Sequence, residues 1–192
     1  MTTLLLTRHG ETDWNAQRRW QGHSDPPLNE RGREQARELA AMLDGVDVIY
    51  ASDLARARET AEILGRRLGL EVRLDPRLRE RSFGAWEGKT WDELEERFAE
   101  ALDRWRAGET HGPDDAEPYQ DFSRRVESFL EDILARHPGE MVLVVGHGGS
   151  IRAIHALAEG LEYARDHLRI PAVPNCGLSR YAVLEGKLAR LD

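Results

Sequence analysis

The chain has 192 residues, 40% hydrophobic and 32% charged, a length and balance that suit one domain, residues 1–192, with room for a full core. Its formal charge of −8 excludes a broad basic footprint for nucleic acid or an anionic membrane surface, so an anionic ligand must be met by local positive charge. Cys176 is the only cysteine; it excludes an intrachain disulfide and reads as a small buried or half-buried hydrophobe rather than a nucleophile.

The elements alternate. Residues 3–7 form a short apolar run that reads as a buried strand, with only Leu4, Leu5 and Leu6 before Arg8 and His9, too short for an export signal. Ala36, Leu39, Ala40 and Leu43 recur at helical spacing over residues 30–43, and residues 46–51 return to a β-branched run. Ser52 is the expected cap of a second helix with an inner face of Leu54, Ala57, Ala61, Leu64 and Leu68; Gly69 stops it, and residues 71–74 make another strand.

Thr90 and Glu93 form a capping box ahead of a helix whose stripe is Trp91, Leu94, Phe98, Leu102 and Trp105, read as core without chemistry. Residues 108–118, GETHGPDDAEP, suit a surface loop. A helix with Phe122, Val126, Phe129, Ile133 and Leu134 on its buried face leads into MVLVVG, the most strand-like segment. Its apolar part, residues 141–145, falls far below the roughly 20 residues of a membrane span, and the expectation is a soluble cytoplasmic protein. HGGS then opens a helix carrying Ile151, Ile154 and Leu157, and residues 178–191 look like a hairpin turning at Glu185, Gly186 and Lys187.

This order predicts an α/β fold, a three-layer sandwich with a mostly parallel central sheet and helices on both faces. Ligands of such folds sit beyond the carboxyl ends of the strands, which directs attention to Arg8-His9-Gly10, residues 52–56 and His147-Gly148-Gly149. Two histidines stand beside glycines that permit close approach, and the helix after His147 offers free N–H groups and a positive dipole end. Arg8 and Arg56 add planar forks that match phosphate oxygens. A neutral His9, kept so by neighbouring guanidinium charge, can attack phosphorus while Arg8, Arg56 and His147 stabilise the transferring phosphoryl. Glu80, in LRERSFGAWEG, can protonate the leaving alkoxide; its bland alternative is a surface ion-pair run with Arg79 and Arg81.

TRHGETDWN, SDLARARETA, LRERSFGAWEG and VVGHGGSIR, in this order and spacing, resemble the histidine phosphatase superfamily, the phosphoglycerate-mutase-like group, over nearly the whole chain. The resemblance implies that His9 becomes phosphorylated, that Arg8, Arg56 and His147 hold the phosphoryl group, and that Glu80 is the proton donor. It also implies that Asn15 lies on the substrate side, that Gln21 and Gly22 line the phosphate pocket, and that PLNERGREQA is structural. Family members differ in substrate at the loop of residues 108–118 and after Ser150.

Rival readings are weaker. An α/β-hydrolase needs a G-x-S-x-G elbow, which the chain lacks. A metal hydrolase using His9, His23, His147 and His155 lacks an H-E-x-x-H motif, and the arginines would repel a cation. A non-catalytic phosphate- or partner-binding module would be expected to have lost the nucleophile or an arginine. The expectation is a phosphomonoester hydrolase acting on a small phosphorylated metabolite without metal or cofactor, with a cofactor-dependent phosphoglycerate mutase as the alternative. Hydrolysis is favoured because a mutase needs a lid against water, and only residues 160–176 and the short loop before Pro118 are uncommitted.

Overall fold

The computed structural model describes residues 1–167, 169–184 and 187–191. Among the described residues six strands form one sheet in the order β3-β2-β4-β1-β5-β6, with β1 at Thr3–Arg8, β2 at Val48–Ala51, β3 at Val72–Leu74, β4 at Met141–Gly146, β5 at Leu178–Leu184 and β6 at Lys187–Arg190. β1, β2, β3 and β4 are parallel, whereas β5 pairs antiparallel with β1 and β6 antiparallel with β5, so the sheet is mixed but mostly parallel, as predicted. The pairing of Leu184 with Lys187 forms the hairpin, while Glu185 and Gly186 of its expected turn lie outside the described residues.

Alternation along the central strands separates two cores. Leu4, Leu6, Val142 and Val144 face α5 (Tyr119–Arg136) and α6 (Gly148–Glu159), burying Phe122, Val126, Phe129, Ile151 and Ile154. Leu5, Ile49, Leu143 and Val145 face α2 (Glu30–Met42) and α3 (Ala55–Leu68), meeting Leu39, Ala57, Ala61 and Leu64. Each fully buried leucine or valine contributes roughly 1.5–3 kcal/mol. A third cluster of Trp86, Leu94 and Leu102 surrounds α4 (Trp91–Arg106), whose helical path breaks at Phe98, with φ −136 and ψ 28. Two short helices, α1 (Asp13–Ala16) and α7 (Tyr163–Asp166), had no distinct signal in the sequence.

Some boundaries move for identifiable reasons. The second strand starts at Val48 rather than position 46, because Gly45 turns the chain at φ +71 and the Asp47 carboxylate accepts the Met141 N–H at 2.7 Å. Ser52 is not the cap of α3: Leu54 holds that position, Ser52 Oγ accepts only the Leu54 N–H at 3.3 Å, and Asp25 Oδ1 takes the Ala55 N–H at 2.7 Å. The predicted box of Thr90 and Glu93 does form. No described helix is long and apolar enough to cross a membrane.

Candidate active site

Pairing of Arg8 with Gly146 in the β1–β4 ladder brings His9 and His147 out side by side, with ring centroids 5.1 Å apart. His9 is buried, and its Nδ1 lies 2.7 Å from the Gly10 carbonyl. A carbonyl only accepts, so Nδ1 carries the proton and Nε2 the lone pair. The Gly10 N–H donates to Thr60 Oγ1 at 3.0 Å, and Thr60 donates to the Arg56 carbonyl at 2.7 Å, tying the β1 end to α3. A side chain on Gly10 would run into the Gly32 carbonyl, so the close approach needs glycine there.

Arg56 projects from the first turn of α3 with no exposed surface, its Nη1 and Nη2 donating to the carbonyls of Ser24 and Gly22, both at 2.8 Å. Burial pulls its pKa down to about 10, opposed by Glu80 and Asp25, and it remains a cation at neutral pH. Arg8 is half-buried and donates to the Val173 carbonyl at 3.0 Å. His147 is fully buried, and neither ring nitrogen has a partner among the described residues. Burial holds His9 well below the usual histidine range, with Arg56 and Arg8 adding to the effect; burial, Arg56, His9 and Arg8 do the same to His147. Burial, rather than guanidinium charge alone, is thus the first cause of a neutral His9.

Glu80 reaches the same place from the segment after β3. Its Oε2 accepts the Gly149 N–H and its Oε1 the Arg81 N–H, both at 2.9 Å. The ion-pair run is not what forms, since Arg79 pairs with Asp53 at 2.5 Å and Arg81 packs between the rings of Phe83 and Tyr119. Asn15 and Gln21 meet at Thr12, whose Oγ1 lies 3.2 Å from Asn15 Oδ1 and 3.1 Å from Gln21 Oε1. Arg8, His9, Asn15, Gln21, Gly22, Arg56 and Glu80 line one cavity of about 270 Å³. Gly148 lies at the adjoining wall, close to Glu80 and the Arg8 guanidinium. Of the residues selected from the sequence, His147 lines neither cavity and instead packs behind the cleft against His9.

Three expectations need correction. The first turn of α6 does not present only free N–H groups: the Gly149 N–H is engaged by Glu80 and the His147 N–H by Ser150 Oγ at 2.9 Å. The aromatic stripe of α4 is not pure core, because Trp91 and Trp105 line a second cavity of about 510 Å³ that shares Arg8, Trp20, Glu80 and Phe83 with the first. Residues 160–176 are not uncommitted, since α7 lies among them, the Val173 carbonyl accepts from Arg8, and Asn175 Nδ2 donates to the His9 carbonyl at 2.9 Å.

Sequence reasoning also missed Arg125 on α5. Its Nη1 donates to the carbonyls of Arg77 and Arg79 at 2.7 Å, its Nη2 to that of Glu80 at 2.9 Å, and Nε and Nη2 clasp Glu117 at 2.7 Å. An arginine on a helix gives no local signal of such a role. His23, of the metal reading, is exposed and bonds the Glu80 carbonyl at 2.9 Å through Nε2. His155 packs against the Tyr181 ring, and no group of three or more His, Cys, Asp or Glu among the described residues is placed to hold a metal ion. Cys176 is half-buried, and burial pushes its thiol up to about 12, as suits a packing residue.

Residues 4–190 match the histidine phosphatase superfamily (branch 1). A protein of Enterobacter sp. strain 638 named probable phosphoglycerate mutase GpmB is 39% identical over 188 residues, 94% of this chain and 84% of that one. The solved structure of Bacillus stearothermophilus YhfR superposes with a TM-score of 0.88 at 36% identity, over 100% of this chain and 96% of its own. A mycobacterial glucosyl-3-phosphoglycerate phosphatase, solved as a complex with VO3, gives 0.87 at 32% identity, over 98% and 95%. With paired histidines after two central strands and a match spanning both, the chain belongs to the histidine phosphatase superfamily.

Proposed function

We propose that the chain is a metal-independent phosphomonoester hydrolase that acts on a small phosphorylated metabolite through a phosphohistidine on His9. The observation that carries this reading is the bond from His9 Nδ1–H to the Gly10 carbonyl, which leaves Nε2 as a free lone pair in a ring lining the cleft. Nε2 attacks phosphorus, the ester P–O bond breaks, and Glu80 gives the leaving oxygen a proton. Arg8, Arg56 and His147 hold the equatorial oxygens, where charge spreads in the transition state, while Asn15, Gln21, Gly22 and Gly148 shape the pocket. Water, losing its proton to Glu80, then attacks the phosphohistidine. The P–N bond breaks, Nε2 recovers its lone pair and inorganic phosphate leaves. Arg8 and Arg56 supply the positive charge that a divalent ion would otherwise bring.

The relatives' names divide between mutase and phosphatase. Hydrolysis is supported by space: cavities of about 270 and 510 Å³ meet at Glu80, against the roughly 30 Å³ that a water occupies, so water can follow the departing alcohol. The test supplies 3-phosphoglycerate with a trace of 2,3-bisphosphoglycerate and follows 2-phosphoglycerate and free phosphate together. Phosphate release without isomerisation is expected, and isomerisation much faster than release would make the protein a mutase. A rapid quench without acid, followed by mass spectrometry, should place the phosphoryl group on the His9 peptide, and normal turnover by His9→Ala would remove the nucleophile from the reading.

A further inference from the structure

The second cavity is walled by rings. Trp20 stands at its junction with the phosphoryl cavity, nearly parallel to Trp91 (21°, centroids 5.9 Å apart) and edge-on to Phe83 and Trp105 at 4.7 and 5.8 Å. Tyr119 and His167 continue the wall, 4.7 Å apart. These side chains are half-buried, so each still has surface to offer. Rings in this position are costly to leave against water and favour an occupant with faces and edges of its own.

The wall's cations have protein partners, though Arg8 Nε, Arg81 Nη2 and Arg152 Nε are buried with none among the described residues. Arg81 is buried, with its guanidinium over Phe83 at 4.7 Å and Tyr119 at 4.4 Å, and its Nη1 donates to the carbonyls of His111 and Glu117, both at 2.8 Å. Arg106 pairs with Glu95 at 2.6 Å and lies over Trp91 at 4.9 Å. Arg152 Nη2 donates to the carbonyls of His167 and Ile170. The exposed lining is nonetheless mostly apolar, which favours a ring over a charged or hydroxyl-rich group.

Resting on the phosphatase reading, we infer that this cavity takes the leaving group and that the preferred substrates are phosphomonoesters of alcohols bearing an aromatic ring. Glu80 lines both cavities, so a phosphoryl group held by Arg8, Arg56 and the two histidines places the ester oxygen at the acid and the ring among Trp20, Phe83, Trp91 and Trp105. A volume of about 510 Å³ lies within the roughly 300–1,000 Å³ of small-molecule sites.

The test compares 2-phenylethyl phosphate, n-propyl phosphate and 3-phosphoglycerate by phosphate release from the full chain. The first two release unactivated primary alcohols, which keeps intrinsic leaving-group reactivity nearly level. The phenylethyl ester should exceed both others in kcat/KM by about tenfold or more, the scale on which apolar pockets discriminate. Trp105→Ala and Phe83→Leu should each shrink the phenylethyl-to-propyl ratio about fivefold, and Trp105→Phe should restore most of it. Equal kcat/KM for the two alkyl esters, preference for 3-phosphoglycerate, or a ratio untouched by the variants would overturn the inference. If no ester releases phosphate, the hydrolase reading fails by itself, and tryptophan fluorescence still reads the cavity: benzylphosphonate binding about tenfold tighter than methylphosphonate supports the aromatic site, and equal binding overturns it.

Discussion

The Gly149 N–H donates to Glu80 Oε2 at 2.9 Å, joining the first turn of α6 to the segment after β3 at the candidate site. A Cβ at position 149 would collide with Glu80 Oε1 and lie 3.3 Å from the Tyr163 hydroxyl. Gly149→Ala should therefore act as a displacement of the acid. Its loss of kcat/KM should be about tenfold or more on an alkyl phosphate and several-fold smaller on p-nitrophenyl phosphate, whose leaving group needs little protonation. Glu80→Gln should show the same asymmetry, and the double variant should be no worse than the weaker single one. Equal losses on both esters would take the proton-donor role from Glu80.

Arg125 gathers the carbonyls of Arg77, Arg79 and Glu80 with one planar fork, so it would position the proposed acid, Glu80, from a helix that does not line the first cavity. Arg125→Lys keeps the charge and loses the fork. Expected are a fall in kcat of about tenfold with KM within about twofold, the leaving-group asymmetry of Glu80→Gln, and a loss of about 1–3 kcal/mol on unfolding from carbonyls left unpaired. A variant that unfolds more easily yet loses equally on alkyl and aryl esters would reduce Arg125 to a structural tie.

Both buried histidines carry folded-state pKa values well below the usual 6.5, with burial as the first cause. The unfolded chain then binds more protons as pH falls below 6.5, so stability drops in that range, by up to about 1.4 kcal/mol per pH unit for each histidine. Urea unfolding at pH 7.5 and 5.5 should show the loss, and His9→Gln should reduce its slope. The acidic limb of kcat/KM should likewise begin below the ordinary histidine range. Stability that is flat from pH 7.5 to 5.5 would mean that these imidazoles titrate normally.

Activity should survive a chelator, because Arg56 and Arg8 line the cavity in which the proposed reaction would develop phosphoryl charge. The check is phosphate release after extended EDTA dialysis. Loss of turnover, with recovery on adding one divalent ion, would replace the arginine account with a metal-assisted one.

What could be read in advance was what local chain geometry encodes. Arg8-His9-Gly10 and Gly146-His147-Gly148 follow buried strands, and strand ends in a parallel sheet share one edge, so their meeting follows from topology. Arg56 and Glu80 follow β2 and β3 by the same logic. The cap of α3 could not be read, because Asp25 is brought to Ala55 from 30 positions away by tertiary contact. Trp91 and Trp105 show only helical spacing, which is identical for a side chain facing core and one facing a cavity. Asn175 and Arg125 reach the site across 166 and 45 positions, distances over which sequence spacing carries no information.

The ladder from Thr3↔Met141 to Arg8↔Gly146 also limits where the chain can change length. One residue inserted in β1 would carry His9 a strand step, about 3.3 Å, past His147 and send Leu4 and Leu6 to the face that Leu5 occupies, and one inserted in β4 would do the same to His147, Val142 and Val144. Chemistry and core would be lost together. Gly108, where a Cβ would meet nothing within 4 Å and φ is +76, sits in a loop that can absorb extra residues. Growth of this chain is therefore tolerated in the loop after α4, and excluded from the two strands that hold the histidines abreast.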